Sequence, residues 1–114
     1  MKVLLINGSP HQNGNTAIAL AEVANQLSKE NIDSEIIWIG NKPIRGCIAC
    51  GQCKEQGLGQ CIFDDDICNK ISEKFKEVQA LIVGSPVYYG QPNGALLSII
   101  QRAFYSNGAN ISGK

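Results

Sequence analysis

The chain has 114 residues, enough for one domain with a single modest core. Ten Lys and Arg offset ten Asp and Glu, so no long-range attraction to nucleic acid is expected. The apolar run at Val3 to Ile6 breaks at Asn7-Gly8, well short of a signal-peptide core or a membrane span, so a cytoplasmic protein with no membrane role is expected. Thiols stay reduced in that compartment, and the five cysteines therefore point to metal, iron–sulfur or redox chemistry rather than a disulfide framework.

The stretch VLLIN, Val3 to Asn7, is a continuous apolar run of strand length that ends in a Gly-Ser-Pro turn. Unbroken apolarity is what a parallel strand covered on both faces requires. After the loop GSPHQNGN, the residues Ala17, Leu20, Ala21, Ala24 and Leu27 recur at helical spacing, with Asn15 or Thr16 as the expected cap. SEIIWI reads as a second strand, and GNKPIRG leads from it into the cysteine-rich segment. FDDDICNKISEKFKEV predicts a helix beginning near Asp64 to Asp66, whose carboxylates suit the cap and the helix dipole better than a metal. Ile67, Ile71, Phe75 and Val78 are its expected buried stripe, and Cys68 is expected to be a small buried residue. ALIVGSP repeats the grammar of the first strand, VYYGQPNG reads as a loop, and ALLSIIQRAFY as a helix capped by Asn93. Strands alternating with helices indicate an α/β protein with a parallel sheet.

Open sheets of this kind usually carry more strands, and the third run is apolar enough to be central. One incomplete domain over 1–114 is therefore expected, truncated after the third strand and its helix. That leaves the third strand as an exposed apolar edge, and a homo-oligomer or exchanged strand is expected to cover it.

In α/β sheets, ligands collect at the carboxyl ends of the strands, where both Gly-Ser-Pro turns lie. The first loop, GSPHQNGNT, offers Ser9, Asn15 and Thr16 beside backbone N–H groups at a helix N-terminus, a natural phosphate cradle. It lacks the Gly-Lys-Ser/Thr ending of a P-loop and the GxGxxG spacing of a dinucleotide fold. His11, the single histidine, reads as an exposed loop residue. The second loop, SPVYYGQPNG, presents backbone amides with Tyr88 and Tyr89, which serve either a flat ring or the packing of the next helix. A phosphate cradle beside an aromatic, amide-rich loop suits flavin mononucleotide better than a bare phosphate.

Four of the cysteines, Cys47, Cys50, Cys53 and Cys61, lie in a loop spanning 45–63 at the spacing CxxCxxCx7C. Three close thiolates and a more distant fourth can wrap a [4Fe–4S] cluster, although the spacing is not that of the bacterial ferredoxins. Tetrahedral zinc accepts the same ligands, and retained thiols with no metal are a third reading. Gly57 and Gly59 would let the loop fold back to bring in Cys61, and Arg45 reads as a solvated loop residue.

The two loops, in this order, resemble the flavodoxin-like fold and, within it, the NADPH-dependent FMN reductase family. The cysteine segment is similar to that of the iron–sulfur flavoprotein branch. The resemblance implies a flavodoxin-like doubly wound parallel sheet and an FMN-dependent oxidoreductase, with NAD(P)H as substrate and a small-molecule or protein electron donor or acceptor as partner. A flavodoxin-like electron carrier without enzymatic activity, or a flavin-free metal-stabilised binding module, is the alternative. It also implies that Ser9, Asn15 and Thr16 hold the FMN phosphate, that Gly14 allows its close approach, and that Pro86, Val87, Tyr88, Tyr89 and Gly90 border the flavin ring. Cys47, Cys50, Cys53 and Cys61 are the implied cluster ligands.

Overall fold

A computed structural model describes residues 1–114. The three apolar runs form one parallel sheet: β1 (Lys2–Asn7) lies between β2 (Asp33–Trp38) and β3 (Ala80–Gly84). Leu5 sits opposite Ile36 on one side and Ile82 on the other, and the register continues without a bulge. The order β2-β1-β3 is the first half of the flavodoxin strand order, and the fold is flavodoxin-like.

Helices cover both faces because successive side chains of β1 point to opposite sides. Leu4 and Ile6 join Ile71, Phe75, Val78, Leu96, Ile99 and Ala103 in the larger core, beneath α3 (Cys68–Lys74) and α4 (Gly94–Ser106). Val3 and Leu5 meet Leu20 of α1 (Asn15–Lys29) on the other face. This two-sided burial explains why β1 is continuously apolar rather than alternating. β3 pairs with β1 alone, and Val83 on it is 39% exposed. No helix is long and apolar enough to cross a membrane.

Two local expectations are corrected and one is adjusted. Helix α1 begins at Asn15 with Gly14 as its cap residue, and neither Asn15 nor Thr16 caps it. Helix α3 begins at Cys68, just past the expected Asp64 to Asp66, with Asp66 accepting the Cys68 N–H at its start and pairing with a distant arginine. The stretch after the second Gly-Ser-Pro is a small hairpin, β4 (Val87–Tyr88) and β5 (Gln91–Pro92), rather than an irregular loop. A single helical turn, α2 (Gln52–Glu55), lies inside the cysteine segment.

Two predictions arise from the fold. A Cβ on Gly8 would lie 2.7 Å from Leu96 Cδ2 and 2.9 Å from the Gly84 carbonyl oxygen. Gly8→Ala is therefore expected to cost about 1–3 kcal/mol in denaturant unfolding, since the backbone cannot retreat as a side chain can. At the other end of the sheet, burial pushes the Glu35 carboxyl up, but its bonds and charge interactions with Lys2 and Lys74 prevail and hold it below the ordinary value of 4.5. Its stabilising contribution is thus present above pH 4.5 and is lost as the pH falls through the lower folded-state value. Comparing the acid limb of stability in wild type and Glu35→Gln should show a small difference, under about 1 kcal/mol for so exposed a pair, that vanishes at low pH.

Candidate functional site

The two Gly-Ser-Pro turns are joined directly. Gly8 N–H donates to the Gly84 carbonyl at 2.8 Å, and the Asn93 side-chain amide donates to the Gly8 carbonyl at 2.6 Å. Asn93 also caps α4 through the Ala95 N–H, and its own N–H donates to Ser85 Oγ. One side chain thus fixes the start of α4 beneath both turns. The first loop is shaped by buried Asn7, whose side chain accepts from Ser9 N–H and donates to the Gln12 carbonyl. Trp38 covers it by donating its indole N–H to the Ser9 carbonyl at 2.8 Å.

Ser9 itself is buried, and its hydroxyl accepts the His11 N–H, so it holds the loop's shape. Gly14 has an ordinary negative φ, and its tightest neighbour is His11 Cβ. His11 is exposed. Because no side chain caps α1, the first N–H groups of this 15-residue helix are left for another acceptor. Asn15 and Thr16 of the first loop line the same open groove as Ser85 and Pro86 of the second. Val87, Tyr88, Tyr89 and Gly90 stand beside that groove's Pro86 on the hairpin. Neither tyrosine packs into the core: Tyr88 is half exposed, and Tyr89 is fully exposed at the hairpin tip with a φ of 51°. Tyr89 and Gly90, at φ values of 51° and 75°, are the two central residues of the β4–β5 hairpin, whose tight turn requires positive φ at both.

The four cysteines of the loop share one cavity. Cys47, Cys50, Cys53 and Cys61 all line one pocket, with Ile48, Phe63, Arg102 and Tyr105 among its other walls. Gly57 and Gly59 adopt φ values of 59° and 66°, which reverse the chain after α2 and return Cys61 to the cavity. Cys61 is then pinned twice. Buried Asn69 accepts its N–H and donates to its carbonyl, at 3.0 and 2.8 Å, and Arg102 Nε–H donates to its sulfur at 3.4 Å. On the opposite wall the Ala49 N–H donates to Cys47 Sγ, with Ala49 at a φ of 57°. Cations surround the cavity. Arg102 lies in its wall, Lys54 stands 4.8 Å over the Tyr105 ring, and Arg45 lies 4.2 Å over the Phe63 ring while pairing with Asp65. Arg45 is exposed, as a loop arginine is expected to be, and its pair with Asp65 lies at the surface.

The thiols do not converge on a single point: no three His, Cys, Asp or Glu side chains are grouped to hold one metal ion. A tetrahedral zinc needs its sulfurs about 3.8 Å apart, given Zn–S bonds of about 2.3 Å. A four-iron cluster instead binds each thiolate at a separate iron. By chemistry alone, four thiolates are a donor set that either a four-iron cluster or zinc accepts.

Cys68 is separate from this set. It is fully buried, and burial pushes its thiol up to about 11, against the pull of Arg102. In the folded protein stripped of metal, at pH 8, Cys47 and Cys50, both exposed, should alkylate rapidly, whereas Cys68 should react only after denaturation, as peptide mass mapping would show.

Arg102 was not anticipated from the sequence, nor were Asn7, Trp38 and Asn69. A signal for Arg102 was present. It follows Leu96 and Ile99 at helical spacing, and a cation on an apolar stripe needs a buried partner.

The family described as NADPH-dependent FMN reductase matches residues 1–114, and the chain belongs to that family. An iron-sulfur flavoprotein of Methanocaldococcus jannaschii is 39% identical over 103 residues, covering 90% of this chain and 52% of the relative. An iron-sulfur flavoprotein of Archaeoglobus fulgidus is 36% identical, covering 90% and 49%. The chain thus spans about half the length of these curated relatives. Among solved structures, that of RosB with the bound intermediate 8-demethyl-8-formylriboflavin-5'-phosphate superposes with a TM-score of 0.66. It is 17% identical, over 88% of this chain and 40% of that one, and supports the shared fold.

Proposed function

We propose that this chain carries the FMN-binding and cluster-binding elements of an iron–sulfur flavoprotein that moves electrons between a reduced nicotinamide, or another donor, and an acceptor. The observation that carries the reading is the single cavity lined by all four loop cysteines, in a chain of the FMN reductase family. The names of the relatives support it. When bound, FMN supplies hydride acceptance and single-electron release, and a [4Fe–4S] cluster supplies a one-electron relay.

The chain's own residues bind and orient. The uncapped N-terminus of α1, with Asn15 and Thr16, offers N–H groups and a positive dipole end to a phosphate. Ser9 and Gly14 hold the cradle's shape, and Pro86 to Gly90 form the wall for a flat ring. Cys47, Cys50, Cys53 and Cys61 would hold the cluster, and the nearby Arg45, Lys54 and Arg102 offset the negative charge that four thiolates bring. Helix α4 links the two sites. Asn93 at its start bonds the turns, Ser98 faces Gly46, and Arg102 reaches Cys61, a span of about 13 Å at 1.5 Å per residue. No side chain need act as a proton-transfer base, in keeping with a single, exposed histidine.

Enzyme and carrier are separated by adding NADPH or NADH to the anaerobic protein and following its absorption. Bleaching by a nicotinamide, with turnover when a quinone or free flavin is supplied, is the expected result. A chromophore reduced by dithionite but by neither nicotinamide would make the protein an electron carrier.

A further inference from the structure

Arg102 is the one fully buried cation, and binding of FMN leaves it without a role. Every arm of its guanidinium is spent on the cysteine segment. Nε–H donates to Cys61 Sγ at 3.4 Å, Nη1 to Asp66 Oδ2 at 2.6 Å and to the Arg45 carbonyl at 3.2 Å, and Nη2 to the Phe63 carbonyl at 2.8 Å. Arg45 precedes the first ligand cysteine, whereas Cys61, Phe63 and Asp66 belong to the returning arm. A single side chain of α4 therefore ties both lips of the cavity together. Only a planar fork with five donors can serve these four acceptors at once.

Burying a guanidinium is costly, and a structural clamp alone would be met as well by apolar packing. What apolar packing cannot supply is a charged N–H on a ligand sulfur. We propose that Arg102 is a positioning and tuning residue for the iron–sulfur cluster, fixing the Cys61 sulfur and raising the cluster's reduction potential through its N–H···S bond. The inference rests on the cluster reading of the four cysteines. Reduction adds one electron, hence one negative charge, to the cluster and its thiolates; no bond to the protein breaks and no proton moves. A fixed positive donor on one thiolate stabilises the reduced form more than the oxidised one.

The test is a mediated potentiometric titration of the anaerobic holoprotein, followed by electron paramagnetic resonance, with iron assayed on the same samples. Wild type is compared with Arg102→Gln and Arg102→Lys. Arg102→Gln is expected to lower the potential by about 59 mV or more, a tenfold change for a one-electron couple. Arg102→Lys, which keeps the charge but loses the fork, should fall between. Full iron content with an unchanged potential in both variants would overturn the proposal. Should Arg102→Gln fail to fold, Arg102→Lys decides, with hydrogen exchange of residues 45–66 in the cluster-free protein as a second readout. A lowered potential together with faster exchange supports the proposal, and wild-type values in both overturn it. A wild type that takes up no iron would instead defeat the cluster reading and the tuning role with it. Exchange would then report on the clamp alone, so the two failures are distinguishable.

Discussion

Replacing Asp66 by alanine is expected to destabilise the fold by about 3–5 kcal/mol, a large part of the stability of a domain this size. Asp66 and Arg102 are paired at 2.6 Å with side chains 8% and 1% exposed, so removing the carboxylate strands a guanidinium away from water. The Cys68 N–H at the start of α3 loses its acceptor at the same time. The neighbouring Asp65 provides the contrast. It pairs with Arg45 at 3.5 Å, but the two side chains are 65% and 43% exposed, so Asp65→Ala should change stability by less than about 1 kcal/mol. Urea unfolding of both variants checks the difference. Equal midpoints would mean that the buried pair does not organise this end of the molecule.

The second large effect is on metal content. Cys53→Ser should leave flavin binding intact while lowering iron from about four per chain to a small residue, because a cluster deprived of one thiolate loses a corner. Cys68→Ser should leave iron unchanged, since Cys68 lies in the core with Ile71 and Ile99, outside the cavity. Iron and acid-labile sulfide assays on the two variants distinguish ligand from core cysteine. Loss of iron from the Cys68 variant, or its retention in the Cys53 variant, would contradict the assignment.

The elements that depend on local pattern were legible in the chain. VLLIN and ALIVG are apolar without interruption because β1 and β3 meet helices or neighbours on both faces, and the Gly-Ser-Pro turns mark their carboxyl ends. Asn93 was readable as a cap because capping is a contact between residues two positions apart. Its second bond, to the Gly8 carbonyl, crosses 85 residues and leaves no trace in the local sequence. The three consecutive aspartates show the same limit. Asp64, Asp65 and Asp66 look alike as cap acceptors, and only the fold decides that Asp66 faces Arg102, 36 residues away, whereas Asp65 faces solvent. The β4–β5 hairpin escaped notice because two residues per strand carry no periodicity.

For the site, the cysteine spacing named the thiols, and the folded loop adds that all four line one cavity under a buried arginine. Pro86, Asn15 and Thr16 come together across the sheet, whereas Ser9 and Gly14 shape the cradle from within. The left-handed Ala49 and Tyr89 could not be foreseen, since neither residue type favours that conformation. Each lies beside a candidate cofactor position, at the cysteine cavity and at the ring wall.

The most direct test of the account is an absorption spectrum of the natural gene product purified without oxygen, with iron, zinc, sulfide and FMN assayed on the same sample. The account predicts flavin bands over a broad iron–sulfur absorption, with FMN present and about four irons per chain. Flavin with neither iron nor sulfide would contradict the role assigned to Cys47, Cys50, Cys53 and Cys61. Stoichiometric zinc in place of iron would overturn it in favour of a structural metal site.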